Sequence, residues 1–159
     1  MFTEQWALNQ AINAAQQSPC VKSQRGVVLW RRASEGKRGL YLAAGFNHPP
    51  APFRCDGSVA CREACNKVCI HAEADALLKT PTRVPDRWSL TECEMLHIKV
   101  VKGHATASGQ PTCWQCSRLV LGAGLKAMWL FHKSGLQSYT PEEFHRLTLK
   151  NNQLPVLGG

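Results

Sequence analysis

Two short motifs indicate the fold of this chain: His71-Ala72-Glu73 and Pro111-Thr112-Cys113-Trp114-Gln115-Cys116. One histidine and two cysteines three positions apart provide ligands suited to zinc, a borderline-soft ion that accepts imidazole and thiolate together. Three protein ligands leave a fourth coordination position open, which is typical of catalytic zinc sites. Glu73 lies two residues from the histidine, so the pattern predicts a carboxylate beside a metal-bound water rather than another ligand.

The segments around these motifs alternate between helix-like and strand-like patterns. Apolar residues at near-helical spacing and capping signals predict helices over 3–17, 113–122 and 140–150, and over 62–79 at least in the second half of that segment. Short apolar or β-branched runs predict strands at 27–30, 40–44, 96–101 and 127–131. Loops or polar linkers are predicted over 47–61, 80–94 and 102–112. The alternation of strands and helices predicts a layered α/β domain.

Length and composition bound the class of protein. The 159 residues, 44% apolar and 19% charged, suit one domain spanning 1–159. A membrane-spanning helix needs about 18 consecutive apolar residues, and no stretch of the sequence comes near that length. The first residues also lack the pattern of a signal peptide. We therefore expect a cytoplasmic protein with no membrane anchor. Its eight cysteines are then expected to bind zinc or stay reduced rather than form disulfides.

The formal net charge of +8 predicts an anionic partner. A phosphorylated nucleotide and a nucleic acid both satisfy this expectation, and charge alone does not choose between them. Most of the basic residues are expected to be solvated. Arg54 and Arg62, in the loop expected to overhang the site, are the better candidates for phosphate contacts.

The two motifs together resemble those of the zinc-dependent cytidine deaminase superfamily, whose signature is H-x-E followed by P-C-x-x-C. The resemblance covers about residues 18–131 and is greatest to the deoxycytidylate (dCMP) deaminase branch. Ser18-Pro19-Cys20 and the run 25–29 resemble the first strand entry of that branch, and 117–126 resembles its helix and turn after the second cysteine. The resemblance implies a three-layer α/β/α fold with a central mixed sheet of about five strands.

Three features depart from the family pattern. Thr112 separates Pro111 from Cys113, where the family has proline directly before the cysteine. Asp75 stands where the dCMP branch tends to have asparagine, and the separation between Glu73 and Cys113 is long. The last two departures bear on substrate choice more than on chemistry.

The resemblance implies hydrolytic deamination of a free cytosine nucleotide, first of all dCMP to dUMP. It implies that His71, Cys113 and Cys116 hold a zinc ion whose bound hydroxide attacks the amino-bearing carbon, while Glu73 shuttles protons. Asn47 and Ala72 are the implied substrate contacts, and a homo-oligomer is implied. Two alternatives stay open. One is a deaminase acting on a base within DNA or RNA, and the other is a non-enzymatic zinc module that binds nucleic acid.

A second group of cysteines, Cys55, Cys61, Cys65 and Cys69, lies just before His71. The last three repeat every four residues and would form one stripe on a helix, and Cys55 could complete a tetrahedral structural zinc site. Extra cysteines or histidines for a second zinc are frequent here in dCMP deaminases, which favours this hypothesis. The alternative is a stripe of cysteines packed in the core as small hydrophobic side chains.

Overall fold

The computed structural model describes residues 1–81 and 89–157, so part of the predicted 80–94 linker, including Pro85, lies outside the described residues. The strands are β1 (Gln24–Arg31), β2 (Leu40–Phe46), β3 (Glu94–Val101), β4 (His104–Thr106), β5 (Ala127–His132) and β6 (Gly135–Tyr139). The α-helices are α1 (Glu4–Ala15), α2 (Val59–Val68), α3 (Ala72–Leu78), α4 (Trp114–Gly122) and α5 (Pro141–Asn151). A 3-10 turn covers Leu90–Glu92.

The strands form one mixed sheet in the order β2-β1-β3-β5-β6, with the short β4 pairing to β3. β3 and β5 run parallel, whereas the other described pairs are antiparallel. A parallel pair needs a crossover, and here the connection between the two strands contains α4. The Cys113–Cys116 motif therefore enters its helix after the chain has left the carboxyl end of β3.

Helices cover both faces of the sheet. Because side chains alternate along a strand, Val27 and Leu29 of β1 pack with α3, α4 and α5, whereas Val28 and Trp30 pack with α1. The predicted α/β/α layering is confirmed, and the sheet has one strand more than predicted. Within residues 1–81 and 89–157, no helix is long and apolar enough to cross a membrane.

The second half of the segment 62–79 is helical, as predicted, but the segment is not one helix, because the chain forms α2 and α3 with a break between them. At the break, Ile70 and His48 exchange backbone hydrogen bonds, with N–O distances of 2.8 and 3.1 Å. This extended pairing takes residue 70 out of helical geometry. His71 consequently lies at the N-cap of a new helix, α3.

The strands β4 and β6 were not predicted from the sequence. The loop predicted over 102–112 contains β4, which follows a turn with positive φ at Lys102 (49°) and Gly103 (79°). Such paired positive φ values are typical of a two-residue hairpin turn. β6 lies at the sheet edge and carries few large apolar residues, so it has no strong apolar pattern.

The predicted start of the last helix is confirmed. Thr140 Oγ1 accepts a hydrogen bond from Glu143 N (3.1 Å), and Glu143 Oε2 accepts one from Thr140 N (2.8 Å). This reciprocal capping box, with Pro141 in the first turn, fixes where α5 begins. α5 then packs against α4 and delivers Phe144 to the core beside the predicted metal ligands.

Candidate active site

The three predicted zinc ligands converge, although they lie 42 and 45 residues apart along the chain. His71 Nδ1 is 3.3 Å from Cys113 Sγ and 3.2 Å from Cys116 Sγ, and the two sulfurs are 3.1 Å apart. His71 and Cys113 are the N-cap residues of α3 and α4, and Cys116 lies in the first turn of α4. The packing of the two helix N-termini against each other therefore creates the site.

The orientation of the His71 ring suits a metal ligand. Its Nε2 lies 3.1 Å from Asn66 O, and a carbonyl oxygen only accepts, so Nε2 carries the hydrogen. In the neutral ring, which is the form that binds a metal, the lone pair of Nδ1 then faces the two sulfurs. Histidines that bind zinc through one ring nitrogen usually donate a hydrogen bond from the other ring nitrogen, often to a backbone carbonyl, and this bond fixes the orientation of the ring.

The close contacts among the three side chains shift their pKa values. Hydrogen bonding to Cys113 raises the pKa of His71 to about 9. Hydrogen bonding from Cys116 lowers the pKa of Cys113 to about 5, and the same contact raises the pKa of Cys116. A thiolate at the N-terminus of α4 thus faces a protonated imidazole in the metal-free chain. One imidazole and two thiols form a donor set that fits zinc, which competes for the same lone pairs.

Glu73 lies beside the three ligands without belonging to them. Its Oε2 is 3.3 Å from Cys116 Sγ, and its Oε1 is 4.0 Å from Nε2 of His97, a buried residue of β3. Burial opposes ionisation of Glu73, but electrostatic attraction to His97, hydrogen bonding to the backbone, attraction to His71 and the hydrogen bond from Cys116 together hold the pKa of Glu73 below its usual value. An ionised carboxylate in this position is available to accept a proton.

A cavity of about 520 Å³ opens over these residues, a size suited to a small ligand. Apolar walls come from Trp114, Leu130 and Phe144, and the predicted contacts Asn47 and Ala72 also line the cavity. Its cationic lining consists of Lys22, Arg25 and Lys67, whereas Glu73 is the only carboxylate among the lining residues that the structure describes.

The structure does not place the predicted phosphate candidates at this cavity. Arg54 and Arg62 are exposed, and neither lines the cavity. Arg25 and His97 line it instead, and the sequence analysis did not single out their side chains. The sequence does contain a signal for both residues. Each is a charged or polar residue in an otherwise apolar strand, Arg25 near its start and His97 within it, and such a pattern indicates a polar pocket at that point of the sheet.

The second cysteine group does not converge as the first does. Cys55 Sγ and Cys61 Sγ are 3.6 Å apart, but Cys65 Sγ is directed to Arg62 O at 3.4 Å, and Cys69 lies beyond the helical residues as the C-cap of α2. Among the described residues, only His71, Cys113 and Cys116 bring three ligating atoms within 4.8 Å of one another. This arrangement does not support a second zinc.

Neither a protein-family model nor a curated relative matches the sequence. Solved structures do match. The dCMP deaminase from the cyanophage S-TIM5 in apo form is 23% identical, with a TM-score of 0.53 over 80% of this chain and 82% of that chain. Its complex with dCMP and dUMP gives the same identity and coverage with a TM-score of 0.50. The cytidine deaminase from Burkholderia pseudomallei is 15% identical, with a TM-score of 0.51 over 90% and 96% of the two chains. The chain has the cytidine deaminase fold.

The cytidine deaminase fold accounts for the way this sequence separates its motifs. His71 and Glu73 enter from the chain before β3, and the cysteines enter from the crossover after it. The chain between the motifs contains residues 82–88, which lie outside the described residues, and the β3–β4 hairpin. Within the described residues, the long separation between the motifs therefore leaves the ligand geometry intact.

Proposed function

We propose that this chain is a zinc-dependent hydrolase that deaminates a free cytosine nucleotide, with dCMP to dUMP as the preferred reaction. The observation that carries the proposal is the convergence of His71, Cys113 and Cys116 beside the Glu73 carboxylate on the floor of the cavity. The overall reaction adds water to the base and releases ammonia, so that cytosine becomes uracil.

The proposed role of zinc is that of a Lewis acid that makes water nucleophilic near neutral pH. His71, Cys113 and Cys116 would hold it, because the donor set and the exposed side of the cluster leave room for one more ligand from the cavity. Asn66 O would keep the His71 ring in the ligating tautomer.

Glu73 is the proposed proton carrier. Its carboxylate would take a proton from the attacking water and deliver protons to the ring nitrogen and to the departing amino group. The neighbouring His97 would limit the rotation of the carboxylate. Trp114, Leu130 and Phe144 provide apolar walls against which the flat pyrimidine ring can pack.

The preference for a nucleotide rests on the charge of the cavity. Three cationic side chains and a single carboxylate line it, and such a balance favours an anionic ligand. The complex of the S-TIM5 dCMP deaminase contains dCMP and dUMP, which supports the same substrate class for this fold.

The decisive experiment follows the conversion of dCMP to dUMP by zinc-loaded protein through ultraviolet absorbance, with Glu73→Gln and Glu73→Ala as matched variants. We expect turnover in the unmodified chain, its loss in both variants, and equal zinc content in all three proteins. Turnover on a cytosine within single-stranded DNA or RNA, and none on dCMP, would instead support the polynucleotide alternative. Full activity of Glu73→Ala would contradict the proposed role of Glu73.

Three expectations from the sequence stay predictions: a single domain over 1–159, a homo-oligomer and a cytoplasmic location. The single domain is supported by the packing of α1, α3, α4 and α5 against one sheet. Light scattering of the purified chain measures the oligomeric state directly, and a monomeric mass would contradict the second expectation.

A further inference from the structure

Arg25 is a cation at the wall of the cavity, and among the described residues its terminal nitrogens make no hydrogen bond. It opens the face of β1 that continues with the buried Val27 and Leu29, and its side chain is partly buried. Within residues 1–81 and 89–157, its side chain makes one hydrogen bond, from Nε to Ser23 Oγ at 2.8 Å. Its two terminal nitrogens therefore remain free to donate to a ligand.

Asn47 belongs to the same structure, and its side chain is directed mainly at the backbone. Its Oδ1 accepts from Arg25 N and from Ser18 Oγ, each at 2.8 Å, and its Nδ2 donates to Ser23 O at 2.8 Å. Ser23 Oγ in turn accepts from Arg25 Nε. Asn47, Ser23 and Arg25 thus form a closed hydrogen-bonded ring that fixes both the backbone and the first part of the Arg25 side chain.

An unpaired guanidinium that is removed from part of its water is unfavourable unless a ligand supplies the missing acceptors. Burial lowers the pKa of Arg25, but an arginine stays charged at any physiological pH. A planar fork of N–H donors matches the oxygens of a phosphate in bidentate fashion. Lys22 and Lys67 are exposed residues of the same lining and add positive charge at the mouth.

We propose that Arg25 is the residue that binds the phosphate monoester of the substrate, and that Asn47 is a positioning residue that acts through Arg25. This inference rests on the proposed function, since it assigns the group that distinguishes a nucleotide from a nucleoside. Arg25 reads the phosphate by direct contact, whereas Asn47 holds the guanidinium in the orientation that the phosphate requires.

The test compares the dissociation constants of dUMP and deoxyuridine for zinc-loaded protein, measured by calorimetry. Neither probe carries an amino group to lose, so binding is measured apart from catalysis. We expect Arg25→Gln to weaken dUMP binding about 10- to 100-fold, as for the loss of a charge-assisted contact, and to change deoxyuridine binding by no more than about twofold. Arg25→Lys keeps the charge but loses the forked pair of N–H donors. Its affinity for dUMP is expected to lie between those of the unmodified chain and Arg25→Gln.

Arg146→Gln is the matched control, because it removes the same charge from an exposed residue of α5 that does not line the cavity. Thermal unfolding and zinc content verify that each variant is folded. The inference is overturned if Arg25→Gln binds dUMP as tightly as the unmodified chain, if both ligands weaken equally, or if the unmodified chain does not prefer dUMP.

The role of Asn47 is tested by a double-mutant cycle. If Asn47 acts through Arg25, Asn47→Ala by itself weakens the binding of dUMP and leaves the binding of deoxyuridine unchanged. In an Arg25→Gln background, the same substitution causes little further loss of dUMP affinity. Additive losses would show an independent contact and overturn the positioning role. Turnover of dCMP is scored separately: a preference for dUMP without turnover contradicts the proposed function alone, whereas turnover with an unchanged preference in Arg25→Gln contradicts the phosphate contact alone.

Discussion

Asp75 is a buried carboxylate that organises the end of β2. Its Oδ2 accepts from Phe46 N at 3.0 Å and from Lys79 Nζ at 2.6 Å, and its Oδ1 lies 3.1 Å from His48 Nε2. Asp75 departs from the family pattern at a position expected to affect substrate choice, but it does not line the cavity. Its contacts instead hold the two residues that flank Asn47, so its effect on a ligand is indirect.

We expect Asp75→Ala to lower the free energy of unfolding by about 1–3 kcal/mol, because the Phe46 N–H loses its acceptor. Asp75→Asn is the matched control, since an amide oxygen still accepts from that N–H, and it should lose less. Urea unfolding followed by circular dichroism measures both changes. Equal stability of Asp75→Ala and the unmodified chain would contradict the assigned role.

The roles of the motif residues could be predicted from the sequence because these side chains have the same chemical properties wherever they lie. His71, Glu73, Cys113 and Cys116 are a donor set and a proton acceptor in any fold that brings them together. The role of Arg25 depends on which strand face it occupies and on the ring that it forms with Ser23 and Asn47. Those relations arise only when β1 and β2 pair, so no local pattern contains them.

Gly45 determines how closely α3 approaches the sheet. A Cβ at this position would overlap Ala72 O and Ala76 N, both backbone atoms of α3. Because these atoms belong to the helix that begins at His71, any shift that relieves the overlap also displaces His71 and Glu73. The absence of a side chain at Gly45 is therefore linked to the geometry of the metal site.

We expect Gly45→Ala to destabilise the chain by about 1–3 kcal/mol, as overpacking does, and to reduce the zinc content of the purified protein. Gly122→Ala is the control, because a Cβ at this helical position meets no atom of the described residues within 4 Å beyond its chain neighbours and the nearby backbone of α4. It should leave zinc content unchanged and stability equal or slightly higher. Thermal unfolding and metal analysis measure both, and full zinc occupancy in a stable Gly45→Ala protein would contradict the argument.

The C-terminal end of α5 supports the entry to α4. Asn151 Nδ2 donates to Pro111 O at 2.8 Å, and Asn152 Nδ2 donates to Thr112 O at 2.7 Å. These carbonyls belong to the two residues directly before Cys113. The segment after β6 thus holds the loop that positions a predicted zinc ligand.

We expect the double substitution Asn151→Ala and Asn152→Ala to accelerate zinc loss to a chelator about tenfold, as for one to two lost hydrogen bonds. Asn13→Ala, at an exposed position of α1, is the control and should not change the rate. Release is followed with a coloured zinc indicator under excess chelator. An unchanged rate in the double variant would mean that α5 does not support the site.

The predictability of the elements follows their local signals. α5 has a complete capping signature, and β1, β3 and β5 have strong apolar runs, so all four were predicted close to their observed positions. β4 and β6 lie where burial is limited, and their sequences carry little apolar pattern. The break between α2 and α3 depends on the pairing of Ile70 with the distant His48, which a helical window does not detect.

At the scale of the whole molecule, the zinc site joins two helices that are separate in sequence. Its ligands come from the N-cap of α3 and from the start of α4, so a bound ion cross-links the N-terminal ends of these two helices. A zinc ion that binds the folded chain but not the unfolded chain stabilises the fold by mass action. It raises the free energy of unfolding by about 3 kcal/mol when free zinc is about one hundred times the dissociation constant.

We therefore expect zinc removal to lower the midpoint of thermal unfolding by roughly 5–10 °C, and zinc addition to restore it. His71→Ala should unfold at the lower temperature and no longer respond to chelator. His104→Ala, at an exposed histidine of β4, should behave like the unmodified chain. The idea fails if chelation shifts the midpoint of His71→Ala as much as that of the unmodified protein.

The net charge of +8 attracts any anion, so binding by itself does not distinguish a nucleotide from a nucleic acid. Salt dependence does, because each phosphate contact with a single strand contributes about −0.7 to the slope of log affinity against log salt. A mononucleotide has no condensed counterions to release, so dUMP should lose affinity only through screening of its phosphate, and far less steeply than a strand, between about 50 and about 200 mM salt. A single-stranded oligonucleotide with six contacts should lose several hundredfold, roughly, over the same range. We expect dUMP binding to survive at the higher salt and oligonucleotide binding to disappear. Oligonucleotide binding with a shallow salt slope would indicate contacts to bases, and it would favour a polynucleotide substrate.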